Sequence, residues 1–165
     1  MSVREARRED AQAMARAWTD VGRFYVGVSP SDFQVPDEDG LVDWLECGVE
    51  AMESDQDLAL LVSEQGDEVI GWVSARLVTP VSDAKWQLQR ELGTTRLIID
   101  AVAVAEEHRG AGVGIDLVLA AERWGRERGA TVAVADGNWD SGIVPRFYEA
   151  RLGYRRRSVS LRKAL

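Results

Sequence analysis

An arginine followed by three glycines at alternate positions, Arg109-Gly110-Ala111-Gly112-Val113-Gly114, is the arrangement in this 165-residue chain best suited to chemistry. It follows an apolar run from Leu97 to Val104, interrupted by Asp100, and opens a segment of helical pattern from about Val113 to Arg128, ended by Gly129. A helix starting at such a turn presents unpaired N–H groups and about half a positive charge. Glycine lets the backbone approach an anion closely and adopt positive φ, and Arg109 adds a permanent cation. The chemistry implied is the holding of a phosphate or diphosphate. A P-loop is excluded because no lysine follows the glycines. A dinucleotide-binding G-x-G-x-x-G turn would need its third glycine at 115, where Ile115 stands. Such a turn also ordinarily opens its domain, whereas this one lies two-thirds along. A structural turn without a ligand is the other reading left open.

The elements that must position this turn follow from periodicity. Val3 to Arg8 reads as a short strand, and Asp10 as the N-cap of a helix over about 11–22, with Met14, Trp18 and Val21 on one stripe. Pro30 and Pro36 break the loop from Gly27 to Gly40, and Leu41, Leu45 and Val49 line a second amphipathic helix to Met52. Leu58–Ser63 and Glu68–Leu77 read as a hairpin around Glu64-Gln65-Gly66-Asp67. The segment from Trp86 to Leu92 is ambiguous. Leu97–Val104 has the near-continuous apolar character of a strand covered on both faces, and Ala130–Ala135 resembles it. A last helix includes Val144–Leu152, and Ser158–Leu161 could close the sheet. The pattern is mixed α/β with strands clustered in the middle.

Composition bounds the function. The length fits one domain spanning 1–165, able to bury roughly 70% of its unfolded surface without disulfides or metals. One cysteine, Cys47, excludes an internal disulfide or a Cys-rich zinc site, and it reads as a small buried apolar group. There is no metal constellation. No apolar run reaches the ~20 residues of a membrane span and no signal peptide opens the chain, so a cytoplasmic setting is expected. The formal charge of -8 argues against nucleic-acid binding. Residues 1–100 hold 9 basic and 20 acidic groups, whereas 101–165 hold 11 basic and 8 acidic. Between Asp37 and Asp57 nine carboxylates occur with no Lys or Arg, which reads either as a solvated helix face or as a field for cationic ligands.

The glycine turn matches R/Q-x-x-G-x-G/A, the acyl-CoA signature of the GNAT N-acetyltransferase superfamily, and the likeness continues along the chain. Val102-Ala103-Val104 before His108-Arg109-Gly110 resembles that family's strand and turn, and Trp124 to Ala130 its helix exit. Asn138, then Phe147-Tyr148-Glu149-Ala150-Arg151-Leu152-Gly153-Tyr154, resembles its N…Y-E-x-x-G-F ending, and Val3-Arg4-Glu5-Ala6 with Asp10-Ala11 its opening.

The resemblance implies a mixed, mostly antiparallel central sheet flanked by helices, with a V-shaped splay between the two strands around the signature helix. Acetyl-CoA would be co-substrate. Its pantetheine arm would pair with the backbone at Val102, Ala103 and Val104, and its diphosphate would accept N–H bonds from Arg109, Gly110, Ala111, Gly112, Val113 and Gly114. Asn138 would contact the pantetheine or position the site; alternatively it is a turn residue. The reaction implied is direct acetyl transfer to a primary amine of a small molecule, peptide or protein, within a ternary complex. An alkylammonium of pKa about 10.4 loses its proton at neutral pH at a cost of about 4–5 kcal/mol. Asp100 is the leading candidate to take that proton, on strand alternation sharing a face with Val102 and Val104; otherwise it only pairs a cation or caps a bulge, and Glu68 or an acidic residue from 37–57 is the alternative base. Tyr148 stands where the family often carries its general acid, and a phenol gives its proton to a thiolate with about 2 kcal/mol of penalty.

The acidic N-terminal part would face a cationic acceptor. Phe24, Tyr25, Trp86 and Trp139 are candidates to wall the acceptor pocket, and His108 reads as a half-exposed packing residue. A homodimer is compatible with such a fold, and a non-catalytic acyl-CoA sensor is the competing function.

Overall fold

Near-continuous apolar runs in residues 58–62 and 69–75, buried on both faces, produce the centre of the sheet. The computed structural model describes residues 1–158 and Lys163, and for Trp139 and Val144 the backbone alone. Leu58–Gln65 (β2) and Glu68–Val78 (β3) pair antiparallel, with Gln65 opposite Glu68 and Gly66 at φ 66° in the two-residue turn. Ser2–Glu5 (β1) adds antiparallel to β2, and Arg96–Val104 (β4) adds antiparallel to β3. The chain then crosses over through the helix Val113–Glu127 (termed α3 below) to Val132–Ala135 (β5), which lies parallel to β4. The order is β1-β2-β3-β4-β5, a mixed and mostly antiparallel sheet.

Helices cover both faces. Ala11–Val28 (α1) and Leu41–Ser54 (α2) bury Met14, Leu45 and Val49 on one face against Trp72 and Val62, and α3 buries Leu117 and Ala121 on the other against Ile70, Leu97 and Ile99. Trp72 fixes α1 over the sheet. Its ring is fully enclosed, its Nε1–H donates to the Met14 carbonyl at 3.0 Å, and Trp18 packs on it at 5.2 Å. The hydrogen bond removes the cost of burying an indole N–H.

Several elements depart from the periodicity. The first strand stops at Glu5, because Arg8–Asp10 winds into a short 3₁₀ turn. Asp10 does not cap α1; its carboxylate accepts the Arg7 N–H at 2.7 Å and binds Arg4 at 2.7 and 2.9 Å. The first helix runs six residues past the expected end, through Gly22. There the missing side chain seats the returning loop: a Cβ would lie 2.5 Å from Cδ of Pro36. Cys47 is exposed, not buried, because the inward stripe of α2 is Leu41, Leu45 and Val49. The segment expected as the last helix is a π-helix, Val144–Glu149. The closing strand expected at Ser158–Leu161 lies, apart from Ser158, outside the described residues.

Candidate active site

The site begins where the sheet divides. Pairing between β4 and β5 ends at Ile99 opposite Ala135, yet β4 runs on to Val104. From Asp100 onward the β5-side edge of β4 therefore has no strand partner among the described residues. The Ala105 N–H donates to the Ile70 carbonyl at 3.0 Å. Strand alternation then turns the backbone groups of Val104 and Val102 away from β3 and into the gap. The backbone of Ala103, opposite Trp72, faces β3. Of the three residues expected to offer backbone to a ligand, two present it to the cleft.

A register shift between Ser74 and Ala75 leaves Asp100 as the extra residue in β4. This bulge corrects the expected face of Asp100. Val102 and Val104 pack in the α3 core with Leu97 and Ile99, whereas Asp100 bonds Arg76 at 3.1 Å on the opposite face of the sheet. One inserted residue has reversed the alternation. Asp100 therefore both marks the bulge and pairs a cation, at the apex of the splay.

The turn after β4 presents a run of free backbone donors. Among the described residues, none accepts a hydrogen bond from the backbone N–H of Gly110, Ala111, Gly112, Val113 or Gly114. The first bonded amides are those of Ile115 and Asp116, both to the Gly112 carbonyl, at 2.9 and 3.1 Å. Gly110 and Gly112 have φ of 82° and 92°, which side-chain-bearing residues rarely adopt. A Cβ on Gly112 would meet no protein atom within 4 Å, so space for a ligand lies beside it. Gly114 differs: its Cβ would lie 3.1 Å from the ring of Phe147, so that glycine is needed for packing rather than to clear a ligand. Arg109 donates through Nε to the Val104 carbonyl at 3.1 Å and lies over the Phe24 ring at 5.9 Å. The donors, the positive end of α3 and the open edge of β4 fit a diphosphate joined to an amide-bearing arm.

Across the cleft stands a cluster of phenols. Tyr148 is mostly buried, its ring 4.9 Å from Phe147 and 5.4 Å from Tyr154. Burial, with Tyr25 and Asp136 nearby, pushes its hydroxyl up to about 12. Tyr25 reaches this point because α1 continues past Gly22. Burial also raises its hydroxyl, partly offset by a hydrogen bond with Ser141, and its ring packs 4.7 Å from Phe33. Asp136 follows the last paired residue of β5, as Asp100 follows that of β4, so two carboxylates flank the splay. The sequence alone does not mark Asp136; the parallel register of β5 with β4 places it level with Asp100.

Asn138 accepts the N–H groups of Asp140 and Ser141 on its Oδ1, at 2.9 and 3.2 Å, and so shapes the turn next to Tyr148. His108 is half-exposed. Trp86 stands exposed beside Lys85 at 4.4 Å, and the side chain of Trp139 lies outside the described residues.

A comparison with protein-family models decides the affiliation: the acetyltransferase (GNAT) family model matches residues 16–154. The chain belongs to the GNAT acetyltransferase family. This GNAT chain shares its fold with a tetramutant protein from Bacillus halodurans, 23% identical, covering 100% of both chains with a TM-score of 0.82. A Trypanosoma brucei acetyltransferase is 19% identical over 99% of each chain, with a TM-score of 0.62. An aminoglycoside N-acetyltransferase solved in complex with CoA is 17% identical, over 99% of this GNAT chain and 95% of that one, with a TM-score of 0.64. A search of curated proteins found no match. No helix of the GNAT chain is long and apolar enough, among the described residues, to cross a membrane.

Proposed function

We propose that the chain transfers an acetyl group from acetyl-CoA to a primary amine by direct attack within a ternary complex. The observation that carries this reading is the row of five undonated amides from Gly110 to Gly114, set at the end of an unpartnered strand edge. Those amides and Arg109 would hold the diphosphate, and the backbone of Val102 and Val104 would bind the pantetheine amides. Acetyl-CoA supplies an activated thioester; the residues of the cleft orient it and handle protons.

In the proposed transfer, the neutral amine attacks the thioester carbonyl, the C–N bond forms and the C–S bond breaks. The departing thiolate takes its proton from Tyr148. The proton lost by the amine passes through water to a carboxylate at the splay. Asp100 is proposed for this role, held in place by Arg76, with Asp136 as the other carboxylate at the same level. The acceptor would enter beside Phe24, Tyr25 and Phe33, from the face of the sheet that also carries the acidic α2. The competing reading, an acyl-CoA sensor without turnover, has no use for a buried phenol at 148.

Acetyl-CoA binding by calorimetry, followed by a screen of amines monitored by release of free thiol, tests the proposal. Binding with amine-dependent thiol release supports it. Binding without release from any amine class would leave the sensor reading standing, and absence of binding would remove both.

A further inference from the structure

Strand alternation gives the sheet two unlike faces where β4 and β5 are still paired. Leu97, Ile99, Ala133 and Ala135 pack beneath α3. Their neighbours Ile98, Val132 and Val134 project from the other face, and each is only half-buried and belongs to neither core. In the register Arg96 lies beside Val132, Ile98 beside Val134, and Arg76 of β3 opposite Ile98. The result is an apolar strip with Arg96 at one end and the Arg76–Asp100 pair at the other, where the splay begins.

Arg96 has no partner at its end of the strip. Its Nε is buried without a hydrogen bond, and its guanidinium forms no ion pair with a described residue. A guanidinium keeps its charge at every ordinary pH, and a buried donor left unpaired costs stability. Arg76, on the same face of the neighbouring strand, is neutralised by Asp100 at 3.1 Å. The strip therefore carries one unbalanced positive charge beside apolar surface. One edge of a guanidinium matches one carboxylate, two N–H groups to two oxygens. A carboxylate would leave no surplus charge, whereas a doubly charged phosphate would.

We infer that this strip seats an organic carboxylate and, resting on the transfer proposed above, that the acceptor amine carries that carboxylate on the same short apolar chain. The carboxylate binds Arg96, the chain crosses Ile98 and Val134, and the amine lies at the Asp100 end beside the splay. Four residues of strand separate the two ends, at most about 13 Å, and the side chains reaching in from both ends leave room for a chain of a few carbons.

The buried Nε–H of Arg96 is shielded from exchange with water, so it gives an NMR signal in protein carrying isotope-labelled arginine, assigned by its loss in Arg96→Met. Titration with ε-aminocaproate or hexanoate, without acetyl-CoA, is expected to shift that signal saturably, and hexylamine or inorganic phosphate is expected not to. By calorimetry the hexanoate Kd should rise about tenfold or more in Arg96→Met, and by less in Arg96→Lys, which keeps the charge without the fork. No saturation with either carboxylate into the millimolar range, or an equal shift with hexylamine or phosphate, would overturn the site. At saturating acetyl-CoA, kcat/KM for ε-aminocaproate should exceed that for hexylamine about tenfold, and the ratio should fall toward one in Arg96→Met. Equal values in the unaltered protein would overturn the acceptor assignment. Should no amine be acetylated while hexanoate still shifts the Arg96 signal, the carboxylate site stands and the transfer reading alone falls.

Discussion

As the proposed proton donor, Tyr148 carries opposing demands in one side chain. Burial and the neighbouring Tyr25 and Asp136 lift its hydroxyl to about 12, so it remains a donor at any ordinary pH. The same shift raises the thermodynamic penalty for protonating a thiolate of pKa about 8.5 from about 2 to about 5 kcal/mol. Tyr148→Phe is expected to lower kcat about a hundredfold while leaving acetyl-CoA affinity and thermal stability nearly unchanged, as steady-state kinetics, calorimetry and melting will show. No loss of activity from ionised Tyr148 should appear below pH about 11. Because the folded value lies above the unfolded one near 10, the associated stability is present below pH 10. It is lost as pH climbs toward 12, by about 2–3 kcal/mol, and Tyr148→Phe should lack that loss. Gly112 and Gly114 separate by a different experiment. Gly112→Trp meets no protein atom at Cβ, so it should cost only about 1–2 kcal/mol for its positive φ yet weaken acetyl-CoA binding at least tenfold. Gly114→Ala drives a methyl group against Phe147, and about 1–3 kcal/mol of stability should be lost, read from denaturant midpoints.

At the scale of elements, Asp10 secures the junction of β1 and α1. It is 5% exposed and joins Arg4 and the Arg7 N–H, and Arg4 also reaches Glu64 of β2 at 2.7 Å. Burial raises the Asp10 carboxyl, but Arg4 and the Arg7 amide outweigh it and hold the group below its usual range. The sign follows: its stabilisation is present above pH about 4 and is lost as pH falls through the lowered value. Asp10→Ala should cost about 2–3 kcal/mol at neutral pH, a fall in Tm of about 5–10 °C, and should flatten the acid limb of the stability curve.

The strands β2, β3 and β4 and the glycine turn were legible in the sequence because their patterns are set by local chemistry: near-continuous apolar runs, a Gly in a two-residue turn, and glycines at a helix start. The bulge at Asp100 was not legible. Nothing in Ile99-Asp100-Ala101 announces an extra residue; it follows from the register with Ser74 and Ala75 across the sheet. The length of α1 escaped for a similar reason: nothing near the expected end at about 22 shows that the chain returns to pack Pro36 on Gly22 and lets the helix continue. That extension carries Tyr25, a candidate wall residue on the sequence, to the side of Tyr148 from within α1 rather than from a loop after it.

Across the whole molecule the charge is unevenly spread. The run from Asp37 to Asp57 occupies α2 and its flanks, on the face of the sheet that α1 shares. Arg8, from outside the run, neutralises part of it through Glu46 at 2.6 Å and Glu50 at 2.9 Å. Asp43 and Glu53 remain exposed without an ion-pair partner among the described residues. Exposed charges act over a screening length of about 8–10 Å at ordinary ionic strength, so their effect on a substrate in the cleft is steering rather than tight binding. A diamine or polyamine acceptor, measured at saturating acetyl-CoA, should accordingly lose kcat/KM several-fold as salt is raised, through KM and not kcat. Asp43→Asn with Glu53→Gln should reduce that salt dependence while leaving kcat unaltered. An acceptor KM indifferent to salt in both proteins would mean that the acidic face only keeps the chain soluble, and that recognition of the amine rests on the aromatic and carboxylate groups of the cleft itself.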